Sequence, residues 1–148
     1  MTSGNTVRLD FHSSLNMLDF VQVVSDHIAR MVGLDADSIH WVNLAVRESV
    51  INAIKHGNCL DERKRVHVEF TSVQDAGAPA LAVSVRDEGC GFDPSVIANP
   101  LASENLLKTN GRGIFLMRSF MDEMTFNRVQ DGGMEVRMVK RVAQSTIA

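Results

Sequence analysis

An apolar strand that ends on an acid and opens into a glycine pair is the feature that most constrains this chain. Apolar residues alternate from Leu81 to Val85, which is typical of a β-strand with one buried face. Asp87 follows, and then Gly89-x-Gly91, where glycine permits positive φ and a close approach to the backbone. A carboxylate beside a floor without side chains suits a flat ligand whose edge offers a hydrogen-bond donor. Taken alone, the stretch is more simply explained as a hairpin turn with a surface acid.

The composition indicates one globular domain and argues against several classes of partner. The chain has 148 residues, of which 45% are hydrophobic and 22% charged, with a formal net charge of −3. This length predicts a single domain over residues 1–148, and the charge argues against nucleic acid or an anionic membrane as the main partner. No apolar run approaches the length of a membrane-spanning helix. Cys59 and Cys90 are the only cysteines, so a disulfide framework or structural zinc site is not expected, and the thiols fit a reducing cytoplasm.

The periodicity of apolar residues predicts two helices and several strands in separate blocks. The predicted helices span Leu15–Met31, closed by Gly33, and a segment from a cap at Asp35 or Asp37 to about His56, with Gly57-Asn58 as its stop. The predicted strands are Val7–Phe11, Val66–Phe70, Leu81–Arg86 and a final hairpin of Met124–Phe126 with Met134–Met138, and Gln74–Pro79 is a predicted turn. Such blocks favour an α+β fold, a two-layer sandwich with helices on one face of a mixed, mostly antiparallel sheet.

A polar stripe runs along the second predicted helix, which is otherwise apolar over most of its circumference. Glu48, Asn52 and His56 recur at i, i+4 and i+8, so they share one face. A buried carboxylate is costly unless a cation, a donor or water meets it. Glu48 could take a proton from a hydroxyl or water, and Asn52 could offer its carbonyl oxygen to Mg²⁺. A solvated stripe or an internal hydrogen-bond network explains the same triplet about equally well.

A second glycine stretch, Gly111-Arg112-Gly113, precedes a segment with helical spacing. Backbone N–H groups at the start of a helix form an anion site, and Arg112 could reach a phosphate. Glycines before helices often only cap or turn, so this signal is weak by itself. The stretch is not a P-loop, because no Gly-Lys-Ser/Thr follows, and neither glycine pair completes a dinucleotide fingerprint.

Together the three motifs resemble the ATP-binding fold of the GHKL superfamily, which includes gyrase, Hsp90-type chaperones, histidine kinases and MutL. The motifs are Glu48-x-x-x-Asn52-x-x-x-His56, Asp87-x-Gly89-x-Gly91-Phe92 and Gly111-x-Gly113. The resemblance spans about Val7 to Arg141. Within the superfamily, residues 48–57 and 111–123 are similar to those of the bacterial anti-sigma-factor serine kinases. That resemblance implies a dimer that binds a sigma factor and phosphorylates a serine on a small anti-anti-sigma protein of the STAS type.

The resemblance also implies a role for each motif residue. Asp87 would accept a hydrogen bond from the adenine amino group, with Gly89 and Gly91 beneath the base. Asn52 would hold Mg²⁺ at the phosphates of ATP, and Glu48 would be the general base for the attacking serine. Residues 93–110 would form a lid over the nucleotide. The remaining nucleotide-binding residues would be His56, Phe92 and the phosphate-side hinge Gly111, Arg112 and Gly113.

One position departs from the superfamily pattern, and two other functions stay open. The superfamily usually places Thr after the final turn glycines, where its hydroxyl supports the adenine-binding acid, but here Met134 follows Gly133. The chain could instead be a nucleotide-gated partner switch without significant kinase activity, although such a module has no need of a base at Glu48. It could also be a detached histidine-kinase catalytic domain. No phosphoacceptor helix pair precedes the motifs, so autophosphorylation on histidine is not expected.

Overall fold

In its described residues, the protein folds as two helices on one side of a five-stranded sheet. The computed structural model describes residues 2–89, 117–130 and 132–143. The strands are β1 (Thr2–His12), β2 (Arg65–Asp75), β3 (Ala78–Arg86), β4 (Glu123–Arg128) and β5 (Met134–Arg141). The helices are α1 (Leu18–Val32), preceded by a 3₁₀ turn at Leu15–Met17, and α2 (Ala36–Asn52), continued by a π-helical turn at Ala53–Gly57.

The strand order in the sheet is β1-β2-β3-β5-β4, and every described pairing is antiparallel. Because side chains alternate across a strand, one face of the sheet carries the apolar residues that meet α1 and α2. The core between the layers includes Val21 and Ile28 of α1, Val42, Val46 and Val50 of α2, and Val68, Phe70, Val83 and Met138 of the sheet. The predicted α+β fold with helices on one face is therefore confirmed.

Local capping explains where the two helices begin and end. The side chain of Ser14 accepts a hydrogen bond from the N–H of Asn16 and starts the first turn. Gly33 ends α1 in the left-handed conformation, with φ of +102°, as its sequence position predicted. Of the two candidate caps for α2, Asp35 is the one used, because its side chain accepts the N–H of Ser38 at 2.8 Å.

The predicted bounds of one turn were wrong, and the predicted end of the second helix at Gly57-Asn58 is reached through a change of helix type. The turn between β2 and β3 is confined to Ala76 and Gly77, which have φ of +53° and +81°. Two residues with positive φ are enough for a tight hairpin, so Gln74 and Pro79 pair within the ladder and do not belong to the turn. The second α-helix ends at Asn52, and the chain reaches Gly57 in a wider π-helical turn. π-Helical turns of this kind are frequent at functional sites.

Two further findings concern the expectations drawn from composition. No helix in the described part of the chain is long and apolar enough to cross a membrane. Cys59, just after the π-helical turn, is disulfide-bonded, so the expectation that the cysteines are free thiols was wrong at this residue. Spacing along the chain could not show this, because a disulfide depends on how close two residues come in space.

Candidate functional site

Asp87 lies immediately after β3 and is nearly buried, with 7% of its surface exposed. Its Oδ1 accepts two backbone hydrogen bonds, from the N–H of Gly89 at 2.9 Å and from the N–H of Met134 at 3.1 Å. Burial raises the pKa of the Asp87 carboxyl above its ordinary value, while these two hydrogen bonds and the positive charge of Lys64 act in the opposite direction. The fold therefore keeps a desolvated acid at a strand end, held by the backbone on one oxygen.

Met134, at the position where the superfamily usually has Thr, contacts Asp87 through its main chain. Its N–H donates to Asp87 Oδ1, and its carbonyl accepts the N–H of Asp87 at 3.0 Å. A backbone amide supports the acid here, so a hydroxyl at residue 134 is not required to orient it. The methionine side chain offers no donor that could bond to the edge of a ligand.

Close backbone approaches surround Asp87, and they explain three glycines. A Cβ on Gly57 would lie 2.0 Å from Asp87 Oδ2, and one on Gly133 would lie 2.0 Å from the Asp87 carbonyl oxygen. Gly89 has φ of +75°, and a Cβ there would lie 2.3 Å from the carbonyl of Gly132. Gly57 belongs to the end of the polar helix and Gly133 to the final hairpin. The fold thus brings the helix motif and the hairpin turn to the same carboxylate, which sequence analysis did not predict.

Asn52, the last residue of α2, carries a buried oxygen without a partner. Among the described residues, no donor reaches Asn52 Oδ1 or the hydroxyl of Ser49 one turn earlier. A buried polar atom without a hydrogen bond is rare and calls for an explanation. An amide carbonyl oxygen is a ligand that Mg²⁺ accepts, so the donor chemistry at Asn52 fits the ion that the resemblance implies.

The other two residues of the polar stripe differ in exposure. Glu48 is half-buried one turn before Asn52, and His56 is exposed in the π-helical turn. A half-buried carboxylate keeps part of its surface open to solvent or to a bound molecule. Glu48 and Asn52 are thus both half-buried, and His56 at the end of the stripe is exposed.

Two residues of this site were missed by the sequence analysis. Asn58, taken there only as a helix stop, is fully buried, and its Oδ1 accepts the N–H of Glu88 at 2.8 Å. Lys64 donates from Nζ to the carbonyl oxygen of Gly89. The available signal was weak, since an asparagine after a glycine and a lysine before a strand occur in many proteins.

Several predicted site residues lie outside the described residues. They are Gly91 and Phe92, the predicted lid at residues 93–110, and Gly111, Arg112 and Gly113. The predicted site residues that the structure does describe are Glu48, Asn52, His56, Asp87 and Gly89.

Comparisons with known proteins agree with this geometry. A family model described as a histidine kinase-like ATPase domain matches residues 14–140. The chain is 29% identical over 140 residues to an anti-sigma F factor of Clostridium perfringens, covering 93% of this chain and 97% of the relative. It is 32% identical over 127 residues to the serine-protein kinase RsbW of Bacillus licheniformis, covering 81% and 75%.

A solved structure shows the same fold. The RsbU and RsbW domains of a Mycobacterium tuberculosis protein superpose with a TM-score of 0.67 at 17% identity, covering 96% of this chain. This chain spans about a third of that longer chain, 34%. The family match over most of the sequence and the shared fold lead to one conclusion: the chain belongs to the histidine kinase-like ATPase domain family.

Proposed function

We propose that this protein is an ATP-dependent serine protein kinase that acts as an anti-sigma factor. It would phosphorylate an anti-anti-sigma protein of the STAS type and sequester a sigma factor. One observation carries the proposal: the similarity to an anti-sigma F factor extends over 93% of this chain and 97% of the relative. A second relative of similar length is named a serine-protein kinase.

The nucleotide would bind between the end of α2 and the strand exit at Asp87. Asp87 would accept a hydrogen bond from the adenine amino group, with Gly89 and Gly91 beneath the base, and Phe92 would be a further nucleotide-binding residue. The raised pKa of Asp87 supports this role. A hydrogen bond from a ligand donor would replace part of the solvation that the carboxyl loses on burial. Asn52 would hold Mg²⁺ through the buried Oδ1, and the bound ion would neutralise charge on the phosphates.

Glu48 would act as the general base for the serine hydroxyl. As the hydroxyl oxygen bonds to the γ-phosphorus, the bond from that phosphorus to the bridging oxygen breaks and ADP leaves. The hydroxyl proton passes to the Glu48 carboxylate, which is accessible enough to meet a partner's side chain. Phosphoryl transfer depends mostly on positioning and charge neutralisation, so Glu48 would add proton transfer to the binding roles of Asn52 and Asp87.

The test is incubation with labelled ATP, Mg²⁺ and purified STAS-type anti-anti-sigma proteins from the same genome. We expect acid-stable phosphate on a serine of one such protein. Acid-labile phosphate on a partner histidine would support a detached histidine-kinase domain instead. Nucleotide-dependent partner binding without any transfer would support a partner-switch module.

We also propose that the protein is a cytoplasmic homodimer. The cytoplasmic location rests on family membership alone, because Cys59 is not a free thiol. In support of a dimer, α1 and the edge strand β1 flank an apolar groove of about 370 Å³, lined in part by Val7, Val23 and Met31. Val23 is 66% and Met31 67% exposed, and burying such side chains against a second copy would be favourable.

The solution mass tests the dimer. At roughly tens of micromolar protein we expect twice the chain mass, and Met31→Glu should lower it to that of one chain. Leu60→Glu is the matched control, because Leu60 is an exposed apolar residue, at 58%, outside the groove lining. A monomeric mass for the unmodified protein would contradict the proposal.

A further inference from the structure

Asn58 makes three hydrogen bonds to three separate parts of the fold. Its Nδ2 donates to Ser13 Oγ, just after β1, at 2.8 Å and to the carbonyl of Arg65, at the start of β2, at 2.9 Å. Its Oδ1 accepts the N–H of Glu88 at 2.8 Å. Asn58 is 0% exposed, so these bonds form away from competing water. The side chain fixes the end of the π-helical turn to two strands and to the segment that leaves β3.

The third of these bonds acts next to Asp87. Glu88 is its chain neighbour, and Gly57, the neighbour of Asn58, lies against Asp87 Oδ2. On the opposite side, the N–H groups of Gly89 and Met134 bond to Oδ1. The carboxylate is therefore confined between the hairpin turn on one side and Gly57 on the other. Removing the Asn58 acceptor frees the Glu88 N–H and loosens only one side of this enclosure.

We propose that Asn58 is a positioning residue for base recognition, holding Asp87 where it distinguishes an adenine amino group from a keto oxygen. The proposal rests on the proposed function, since it requires that Asp87 faces the base. Asn58 itself touches no ligand and acts through the Glu88 N–H and the position of Gly57. A merely structural asparagine would stabilise the fold without affecting which base is preferred.

The test compares the affinities of ADP and IDP, in the presence of Mg²⁺, for the full chain and its variants. IDP carries a keto oxygen at position 6 where ADP carries the amino group, so this position accepts a hydrogen bond and cannot donate one to Asp87. In Asn58→Ala we expect ADP affinity to fall by about tenfold while IDP affinity changes by less than about twofold. The preference for ADP should then approach that of Asp87→Asn, which removes the carboxylate acceptor itself.

Ser13→Ala is the matched control. It removes one partner of Asn58 but leaves the bond to the Glu88 N–H in place, so the protein should lose stability and keep its preference for ADP. If Asn58→Ala does not fold, Asn58→Ser serves the same purpose, because its hydroxyl is one atom too short to reach the Glu88 N–H. An unchanged ratio of ADP to IDP affinity in the folded variant would overturn the positioning role.

The same experiment separates this inference from the proposed function. Wild-type protein that bound neither nucleotide would refute the ATP-binding role and this inference with it. Wild-type protein that preferred ADP, with Asn58→Ala retaining that preference, would refute the positioning role alone.

Discussion

Two asparagines near the end of one helix, Asn52 and Asn58, have opposite environments. Asn58 is fully buried and uses both ends of its amide in three hydrogen bonds. Asn52 has a buried Oδ1 that no described residue meets. A satisfied buried amide stabilises a fold, whereas an unsatisfied acceptor lowers its stability. The two asparagines therefore differ in how many hydrogen bonds their side chains complete, and the incomplete one is Asn52.

The neighbouring acids Asp87 and Glu88 show a similar contrast. Burial raises the pKa of Asp87. The pKa of Glu88 is lowered, chiefly by the hydrogen bond from the N–H of Arg65, with a smaller contribution from His67. Glu88 is exposed and its charged form is stabilised by hydrogen bonds, so its role is structural. Asp87 is kept in an environment that disfavours its charged form. Of the two acids, only Asp87 has the properties of a binding residue.

The largest expected effect is on phosphoryl transfer and comes from Glu48, one turn before Asn52. Glu48→Gln keeps the shape of the side chain but removes the base, so transfer to serine should slow by roughly two to four orders of magnitude. Nucleotide affinity and sigma-factor binding should stay close to wild type. Single-turnover kinetics measures the transfer rate, and titration measures the two affinities. An equal loss of ATP binding in Glu48→Gln and Asn52→Ala would show that Glu48 is structural or a metal ligand.

The next effect tests the two asparagines directly in denaturant unfolding. Asn58→Ala removes three hydrogen bonds and should lower the free energy of unfolding by roughly 3 kcal/mol. Asn52→Ala should leave it within about 1 kcal/mol or raise it, because the oxygen that is removed has no protein partner. Asn52→Ala should nevertheless lose both Mg²⁺-dependent nucleotide binding and transfer. A large loss of stability in Asn52→Ala would contradict the inference that Asn52, unlike Asn58, has no stabilising partner in the protein.

A smaller effect is expected from Asp87→Asn in thermal unfolding. Millimolar nucleotide with Mg²⁺ should raise the melting temperature of the wild type, because it binds only the native state. Asp87→Asn should remove most of this shift, while the free protein stays as stable as wild type or becomes more so, since no charge is then buried. Normal ATP binding by this variant would refute the adenine assignment.

The smallest effect is on the pH dependence of stability, where the two acids should act with opposite signs. The folded pKa of Asp87 is raised, so its contribution to stability is present below 3.8 and lost as pH rises through the folded pKa. The folded pKa of Glu88 is lowered, so its contribution is present above 4.5 and lost as pH falls through that pKa. Unfolding of Asp87→Asn and Glu88→Gln against wild type from pH 3 to 7 should show these two trends. Trends of the same sign would contradict the opposite pKa shifts of Asp87 and Glu88.

The sequence by itself determined the layers of the fold and the chemical types in the site. Alternating apolar residues predict strands because successive side chains face opposite sides of a sheet, and the cap at Gly33 depends on neighbours in the chain. Asp87 was identified for the same reason, since a strand that ends on an acid before glycines is a local pattern. The stripe of Glu48 and Asn52 likewise follows from helical periodicity.

Only the tertiary structure decided how these residues are held. The bond between Asn58 and Glu88 joins residues 30 apart in the chain, and the bond between Asp87 and Met134 joins residues 47 apart. The superfamily pattern expected a threonine hydroxyl at residue 134, but the contact is made by a backbone N–H that every residue except proline carries. Whether an asparagine side chain at the end of this helix finds hydrogen-bond partners depends on strands that are distant in sequence, so no local pattern encodes it.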